Sequence, residues 1–176
     1  MTSIPSIPFR GSPTPSLGVE WEFALTDKQS GDLSNSAAAL FAAVEQRHPE
    51  HAGQVHKELL RNTVELVTGV CRTTAEALDD LSGTLSVVRG IADELGVDLY
   101  GAGTHPFAEW STQLLTEGHR YAELIERTQW WGRQMLIWGV HVHVGISHRD
   151  KVLPILDALL NYCLLYTSDA ADERSS

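Results

Sequence analysis

The sequence predicts an α+β protein, an antiparallel sheet with helices packed on one face. Three observations predict it. Leu17–Thr26 (LGVEWEFALT) and Ile137–Ile146 (IWGVHVHVGI) alternate with a period of two, the pattern of half-buried strands. Thr74–Leu95 repeats apolar residues at intervals of three and four, the pattern of a helix lying on a core. Strands that keep polar residues on one face suit an antiparallel sheet whose other face is covered by helices.

Each element follows in order. In Leu17–Thr26, Val19, Trp21, Phe23 and Leu25 share one face, and Glu20, Glu22 and Ala24 share the other. Asp27–Asp32 (DKQSGD) is turn chemistry. Ser34 or Asn35 caps a short helix that turns Leu40, Phe41 and Val44 inward. Val55–Thr68 reads as two short strands, a hairpin broken near Arg61-Asn62. The helix opened by Thr74 turns Leu78, Leu81, Leu85, Val88, Ala92 and Leu95 inward, and Gly96 follows as its stop. Val97–Thr104 is a strand that runs into Gly103-Thr104-His105-Pro106-Phe107. Gly118–Thr128 is an amphipathic helix with Tyr121, Leu124 and Ile125 inward. Asp150–Tyr162 begins a last helix after the strand Ile137–Ile146.

The chain has 176 residues, 43% hydrophobic and 20% charged, enough for one sizeable core. Its 13 Lys and Arg against 23 Asp and Glu give a net charge of -10. Such an acidic chain is a poor nucleic-acid surface, since phosphate rewards clustered cations. No apolar run is long enough to span a bilayer, so no membrane partner is expected. Residues 1–16 are rich in Ser and Pro and lack an apolar signal core, so a flexible, disordered leader is expected. Two cysteines make no disulfide framework, and a cytoplasmic, reducing compartment is the expectation. Residues 17–162 show no interior linker and read as one unit. The run Cys163–Glu173 looks like a translated transposase adapter, so residues 163–176 are expected to be a non-native read-through tail. That tail carries three acids and one base, and without it the net charge becomes -8.

Four constellations can carry chemistry. Glu20 and Glu22 sit at i and i+2 of a strand, so their carboxylates point the same way and repel. A hard divalent cation such as Mg²⁺ offsets that repulsion; a solvated strand face is the equal alternative. His141 and His143 share one face of Gly139-Val140-His141-Val142-His143-Val144-Gly145, opposite a face of valines. Imidazoles so placed bind a metal or phosphate oxygens. Glu58 and Glu65 flank the break in the hairpin and either join Glu20 and Glu22 or remain surface glutamates. His105 either contacts substrate or caps its turn. Arg127–Arg133 (RTQWWGR) sets two Trp between two Arg; Arg133 is the candidate substrate contact, while Trp130 and Trp131 are read as packing. No phosphate-loop, dinucleotide or nucleophile-elbow motif occurs, and Cys71 reads as a buried thiol.

The motifs Gly18-Val19-Glu20-Trp21-Glu22-Phe23, Glu65-Leu66-Val67-Thr68-Gly69-Val70, Gly103-Thr104-His105-Pro106-Phe107, Gln129-Trp130-Trp131-Gly132-Arg133-Gln134 and Gly139–Gly145 occur in this order. Together they resemble the type 2 glutamate–cysteine ligases, or carboxylate–amine ligases, of the glutamine synthetase-like superfamily, over nearly all of residues 17–162. The resemblance implies a curved antiparallel sheet, part of an incomplete catalytic funnel that holds ATP with Mg²⁺ or Mn²⁺. It implies that Glu20, Glu22, Glu58, Glu65 and His141 are metal ligands and that His143, with Glu22, faces the nucleotide. The substrates implied are an amino acid carboxylate and an amine, joined through an acyl phosphate to γ-glutamylcysteine or a related amide. The family's chains are about twice this length, so an N-terminal fragment, inactive alone, is expected. A truncated sheet leaves an unpaired edge, which favours association into a homo-oligomer. The rival readings are a non-catalytic metal- or nucleotide-binding fragment and a metal-dependent hydrolase.

Overall fold

The computed structural model describes residues 8–161. The main body, Leu17–His143, is an α+β unit on a five-stranded sheet. Strand β1 (Leu17–Asp27) is its spine. On one edge β1 pairs antiparallel with β3 (Thr63–Val67), which pairs antiparallel with β2 (Val55–Lys57). Alternate amides of β1 point to opposite edges. Leu25 N–H reaches Asn62 O at 2.7 Å on the β3 side, whereas Glu22 N–H reaches Gly139 O at 3.0 Å. The second edge is therefore shared. Strand β5 (Val140–Val144) runs beside the first half of β1, and β4 (Val97–Tyr100) pairs antiparallel with Ala24–Asp27.

Helices α1 (Ala37–Arg47) and α2 (Thr74–Glu94) cover one face. Their Leu40, Phe41, Val44, Val88 and Ile91 pack on Phe23, Leu25, Val64 and Leu66 in one buried cluster. The Phe23 and Leu25 face read from the alternation is thus the core face. The hairpin at Val55–Thr68 is present, and its break carries the fully buried Asn62. Helix α2 starts on Thr73, whose hydroxyl accepts from Glu76 N–H at 3.1 Å, and ends before Gly96 at φ 71°, a backbone angle that glycine adopts freely.

The opposite face of β1 is closed at one end. Ala24 is fully buried there beside Leu59, Leu60, Leu136, Trp138 and Ile125 of helix α3 (His119–Thr128). The Glu20 and Glu22 end stays half-buried. This asymmetry turns one half of the face into core and leaves the other half partly open.

Several sequence expectations are corrected. The stripe of α2 runs through Ala77, Thr84, Val88, Ile91 and Ala92, and Leu78 is 65% exposed. Of the expected stripe Leu81, Leu85, Val88 and Ala92 do pack on the core, and only its two ends, Leu78 and Leu95, are exposed, because the small residues Ala77 and Thr84 share the inward face. Ser36 precedes α1 without a side-chain cap bond. The strand expected to reach Thr104 stops at Tyr100, where Gly101 fits closely against Phe23. In α3 Ile125 is buried, but Leu124 is exposed. The strand expected over Ile137–Ile146 spans Val140–Val144, and its valines are exposed, because nothing among the described residues covers them. Trp130 and Trp131, read as packing, are 54% and 73% exposed. They sit in a short helix α4 (Trp130–Arg133), stacked edge to face on each other, after Gln129 at φ 52°.

Residues 8–16 and 144–161 belong to a second unit. Within it Ser12 N–H donates to Ile146 O at 2.9 Å and Gly145 N–H to Ser16 O at 2.8 Å. Residues 8–16 form no helix or strand, and residues 152–161 are helical, as the apolar pattern from Asp150 predicts. The proposed tail at 163–176 lies outside the described residues, as do residues 1–7 and Tyr162. Among the described residues no helix is long and apolar enough to cross a membrane.

Candidate metal centre

The sheet register assembles the acidic residues. Glu20 and Glu22 leave the same face of β1. Across the β1–β3 pair Glu22 stands opposite Glu65, and across β2–β3 Glu65 stands opposite His56. Glu58 follows β2 directly, and β5 delivers His141 and His143 from the other edge of β1. The result is two trios. Glu20, Glu65 and His141 form one, and Glu22, Glu58 and Glu65 form the other. Within each trio, one ligand atom from every residue lies within 4.8 Å of the others. Glu65 belongs to both and is 7% exposed.

The electrostatics differ sharply along this row. Hydrogen bonding from His143, whose Nε2 is 3.1 Å from Glu20 Oε1, holds the Glu20 carboxyl below its usual range despite partial burial. His141 Nδ1 adds to this from 3.4 Å. Burial pushes the Glu22 carboxyl up; the Gly139 N–H, 2.9 Å from Oε2, opposes the rise, and the Glu58 charge adds to it. Burial also pushes Glu65 up, with Glu58 and Glu20 adding repulsion and His56 opposing it. Without a cation, the buried half of the cluster holds its charge at a cost.

The other expected site residues are placed as follows. His143 lies outside both trios and is held by Glu20. His105 is 8% exposed; its Nε2 donates to Gly31 O at 3.0 Å, and its Nδ1 accepts from Ala108 N–H at 3.1 Å. Both ring nitrogens are spent on main chain, so of its two readings the turn staple matches the geometry. Arg133 is exposed at the end of α4, clear of the cavity that opens beside Glu22, Glu58 and His141. Cys71 is buried, as expected.

Sequence reasoning missed three contributors. His56 Nδ1 lies 3.6 Å from Glu65 Oε1, while its Nε2 donates to Gly53 O at 3.1 Å. Extending the hairpin register by one residue pair would have found it. Gly139 grips Glu22, a backbone contact that no side-chain pattern announces. Trp138 is 4% exposed, and its indole N–H donates to Thr63 Oγ1 at 2.9 Å, fastening the start of β5 to β3. A larger cavity, about 290 Å³, lies at the start of α1. Its Arg61 is already bound to Glu117 and to the Leu115 carbonyl, and neither trio reaches it.

Fold and site together define an α+β protein whose open sheet face gathers carboxylates and imidazole as a candidate centre for hard cations. The sequence profile of glutamate–cysteine ligase family 2 matches residues 16–168, and the chain belongs to that family. A Nocardia farcinica protein, provisionally named glutamate–cysteine ligase 2-2, is 64% identical over 158 residues, 89% of this chain and 42% of its own length. A Mycobacterium sp. (strain KMS) protein, provisionally named glutamate–cysteine ligase 2-1, is 61% identical over 164 residues, 92% of this chain and 42% of its own length. The chain thus spans well under half the length of these relatives. The crystal structure of a Francisella tularensis glutamate–cysteine ligase, in complex with AMP, shares the fold at a TM-score of 0.54 and 16% identity. It is matched over 86% of this chain and 30% of its own.

Proposed function

We propose that this chain supplies the cation- and phosphate-handling face of an ATP-dependent ligase that joins an amino acid carboxylate to an amine, as a glutamate–cysteine ligase does. The observation that carries the reading is Glu65, shared between two trios drawn from four segments of chain. Four carboxylates and one imidazole suit Mg²⁺ or Mn²⁺. The Glu22 and Glu65 carboxyls, raised by burial first and by neighbouring glutamates second, are charges whose cost a divalent cation relieves. Glu20, Glu65 and His141 would hold one cation, and Glu22, Glu58 and Glu65 would hold another. Cations bound there supply charge neutralisation for the nucleotide phosphates during phosphoryl transfer.

The chain's own groups divide the remaining work. His143, steadied by Glu20, donates to a phosphate oxygen of the nucleotide. Gly139 keeps Glu22 aimed at the shared centre. In the reaction a carboxylate oxygen of the acid attacks the γ-phosphorus and ADP leaves. The amine nitrogen then attacks the acyl carbon, phosphate leaves, and the nitrogen gives up a proton. The AMP bound in the Francisella protein supports a nucleotide role for this fold. Because the chain spans 42% of its relatives' length, the full reaction is assigned to a protein of that length.

The test uses such a protein carrying this sequence, with ATP, Mg²⁺, glutamate and an amine panel that includes cysteine. ADP release that requires both acid and amine is expected. Nucleotide binding without turnover would favour a non-catalytic binding domain, and hydrolysis without ATP would favour a metal-dependent hydrolase. Either result ends the ligase reading.

A further inference from the structure

The four carboxylates of the two trios are not held alike. Glu20, Glu22 and Glu65 sit inside strands β1 and β3, and each faces a partner on another segment, His143, Gly139 and His56 respectively. Glu58 lies one residue past the end of β2, outside any strand. Among the described residues its carboxylate accepts only from the N–H of its own neighbour Leu59, at 3.2 Å. Its place beside Glu22 and Glu65 therefore rests on how the main chain around it is held. Two carbonyls bracket it. Leu59 O accepts from Thr116 N–H at 2.9 Å, a bond between backbones. Lys57 O, the last carbonyl of the edge strand β2, accepts from the Tyr121 hydroxyl at 2.7 Å.

We propose that Tyr121 is a positioning residue of the cation centre: its hydroxyl fixes the Lys57 carbonyl and so holds Glu58 in the trio with Glu22 and Glu65. The inference rests on the cation centre proposed above and not on the ligase chemistry. Tyr121 lies on α3 one turn before Ile125, on the same face, and both pack on the buried cluster around Ala24 and Trp138. The ring is thus seated against core, and its hydroxyl ties that core to the end of β2. The phenol is pushed up from its ordinary value, by burial first and by the Glu58 charge next, so it keeps the proton that it donates. Tyr121 belongs to neither trio and acts on Glu58 through the main chain. Loss of the hydroxyl leaves the chain entering Glu58 unanchored on that side, and the cost falls on the cation that Glu58 would help to hold.

The experiment titrates Mn²⁺ by paramagnetic resonance into a protein of the family's full length carrying this sequence. The same titration is made on its Tyr121→Phe, Glu58→Gln and doubly substituted variants. Phe keeps the ring that packs on the cluster and removes only the hydroxyl. We expect Tyr121→Phe to weaken one Mn²⁺ site by roughly 10–100-fold, the usual cost of losing an outer-shell partner, and to leave the other within about threefold. In the Glu58→Gln background the same change should cost less than about threefold, because the group that Tyr121 positions is already gone. Denaturant melts establish that each variant is folded. Unchanged Mn²⁺ affinity in a folded Tyr121→Phe variant overturns this inference alone. An equal loss in both backgrounds, or a Tyr121→Phe variant that does not fold, makes the hydroxyl a general support of the fold and overturns it too. A parent that binds no Mn²⁺ overturns the cation centre and this inference with it.

Discussion

Glu22 and Gly139 hold each other twice. The Glu22 main-chain N–H donates to the Gly139 carbonyl at 3.0 Å, and the Gly139 N–H donates to the Glu22 carboxylate at 2.9 Å. The contact fixes the first strand motif against the second and aims Glu22 at the shared centre. A Cβ at Gly139 would meet nothing closer than His141 Nε2 at 3.8 Å, so Gly139→Ala should bind Mn²⁺ as the parent does. Gly139→Pro removes the donor and should weaken Mn²⁺ binding by roughly 10–100-fold, the usual cost of losing an outer-shell partner. Titration by paramagnetic resonance reads both. Equal affinity for the proline variant would show that Glu22 needs no such support.

Glu65 should behave as the keystone. Glu65→Gln strikes both trios, whereas Glu58→Gln strikes one. The first should therefore lower Mn²⁺ stoichiometry and affinity more than the second. It should also raise the melting temperature of the cation-free chain, since it removes a carboxyl that burial and like charges disfavour. Each kcal/mol gained is worth roughly 2–4 °C at this size. A melting temperature that falls instead would show Glu65 to be a structural hydrogen-bonding residue.

The pH dependence follows from the burial of the Glu22 and Glu65 carboxyls and, after it, from their neighbours' charge. Glu22 and Glu65 are raised from 4.5 in the folded chain, so their stabilisation is present below that value and is lost as pH rises through the raised one. Glu20 is lowered and acts oppositely, its stabilisation being lost as pH falls through the lowered value. The comparison that isolates the first pair is the parent against the Glu22→Gln, Glu65→Gln double variant. Acidification from neutrality down to the ordinary value of 4.5 should stabilise the parent relative to the double variant. Saturating Mg²⁺ should remove that difference in trend, because cation binding requires both carboxylates ionised. Parallel melting curves without Mg²⁺ would show the two carboxyls to be well solvated.

Trp138 and Trp131 separate core from surface. Trp138→Phe removes the indole donor of the buried Thr63 hydroxyl, which keeps its own bond to Asn62 Oδ1, a loss of about 0.5–1.5 kcal/mol. Trp131, 73% exposed, should change stability by no more than about 0.5 kcal/mol when replaced by Ala. Denaturant melts of the two variants give the comparison, and equal losses would place Trp131 in a packed environment.

Much of this was legible in the residues. Period-two alternation marked β1 and β5, and carboxylates at i and i+2 pointed to one open face. Strand alternation reports a face directly, because successive side chains must point opposite ways. The failures arose where that rule does not decide burial. Leu78 and Leu124 carry apolar side chains on the right spacing yet are exposed, since the face of a helix that meets the sheet is set by packing and not by spacing. The Trp pair is exposed in a short helix that follows the positive φ of Gln129, a backbone turn that the aromatic spacing does not announce. The grip of Gly139 and the facing of His56 depend on which strands pair and in what register, which one strand read alone does not state.

The two strand histidines should separate by function. His141 belongs to a trio, its Nδ1 3.4 Å from Glu20 Oε2, whereas His143 belongs to neither trio and has its Nε2 3.1 Å from Glu20 Oε1. Removing a ligand should cost cation affinity directly, so His141→Ala should weaken Mn²⁺ binding beyond the roughly 10–100-fold of an outer-shell loss. His143→Ala should spare the trios and leave Mn²⁺ affinity within about threefold, since it removes no ligand atom. In a protein of the family's full length, His143→Ala should instead weaken nucleotide binding and slow turnover. A hydrogen bond to a charged phosphate is worth roughly 1.5–3 kcal/mol, about 10–150-fold. Manganese titration and calorimetry with a non-hydrolysable nucleotide read the two arms. If His143→Ala costs the metal and His141→Ala the nucleotide, the roles are exchanged and the trio containing His141 is not a cation site.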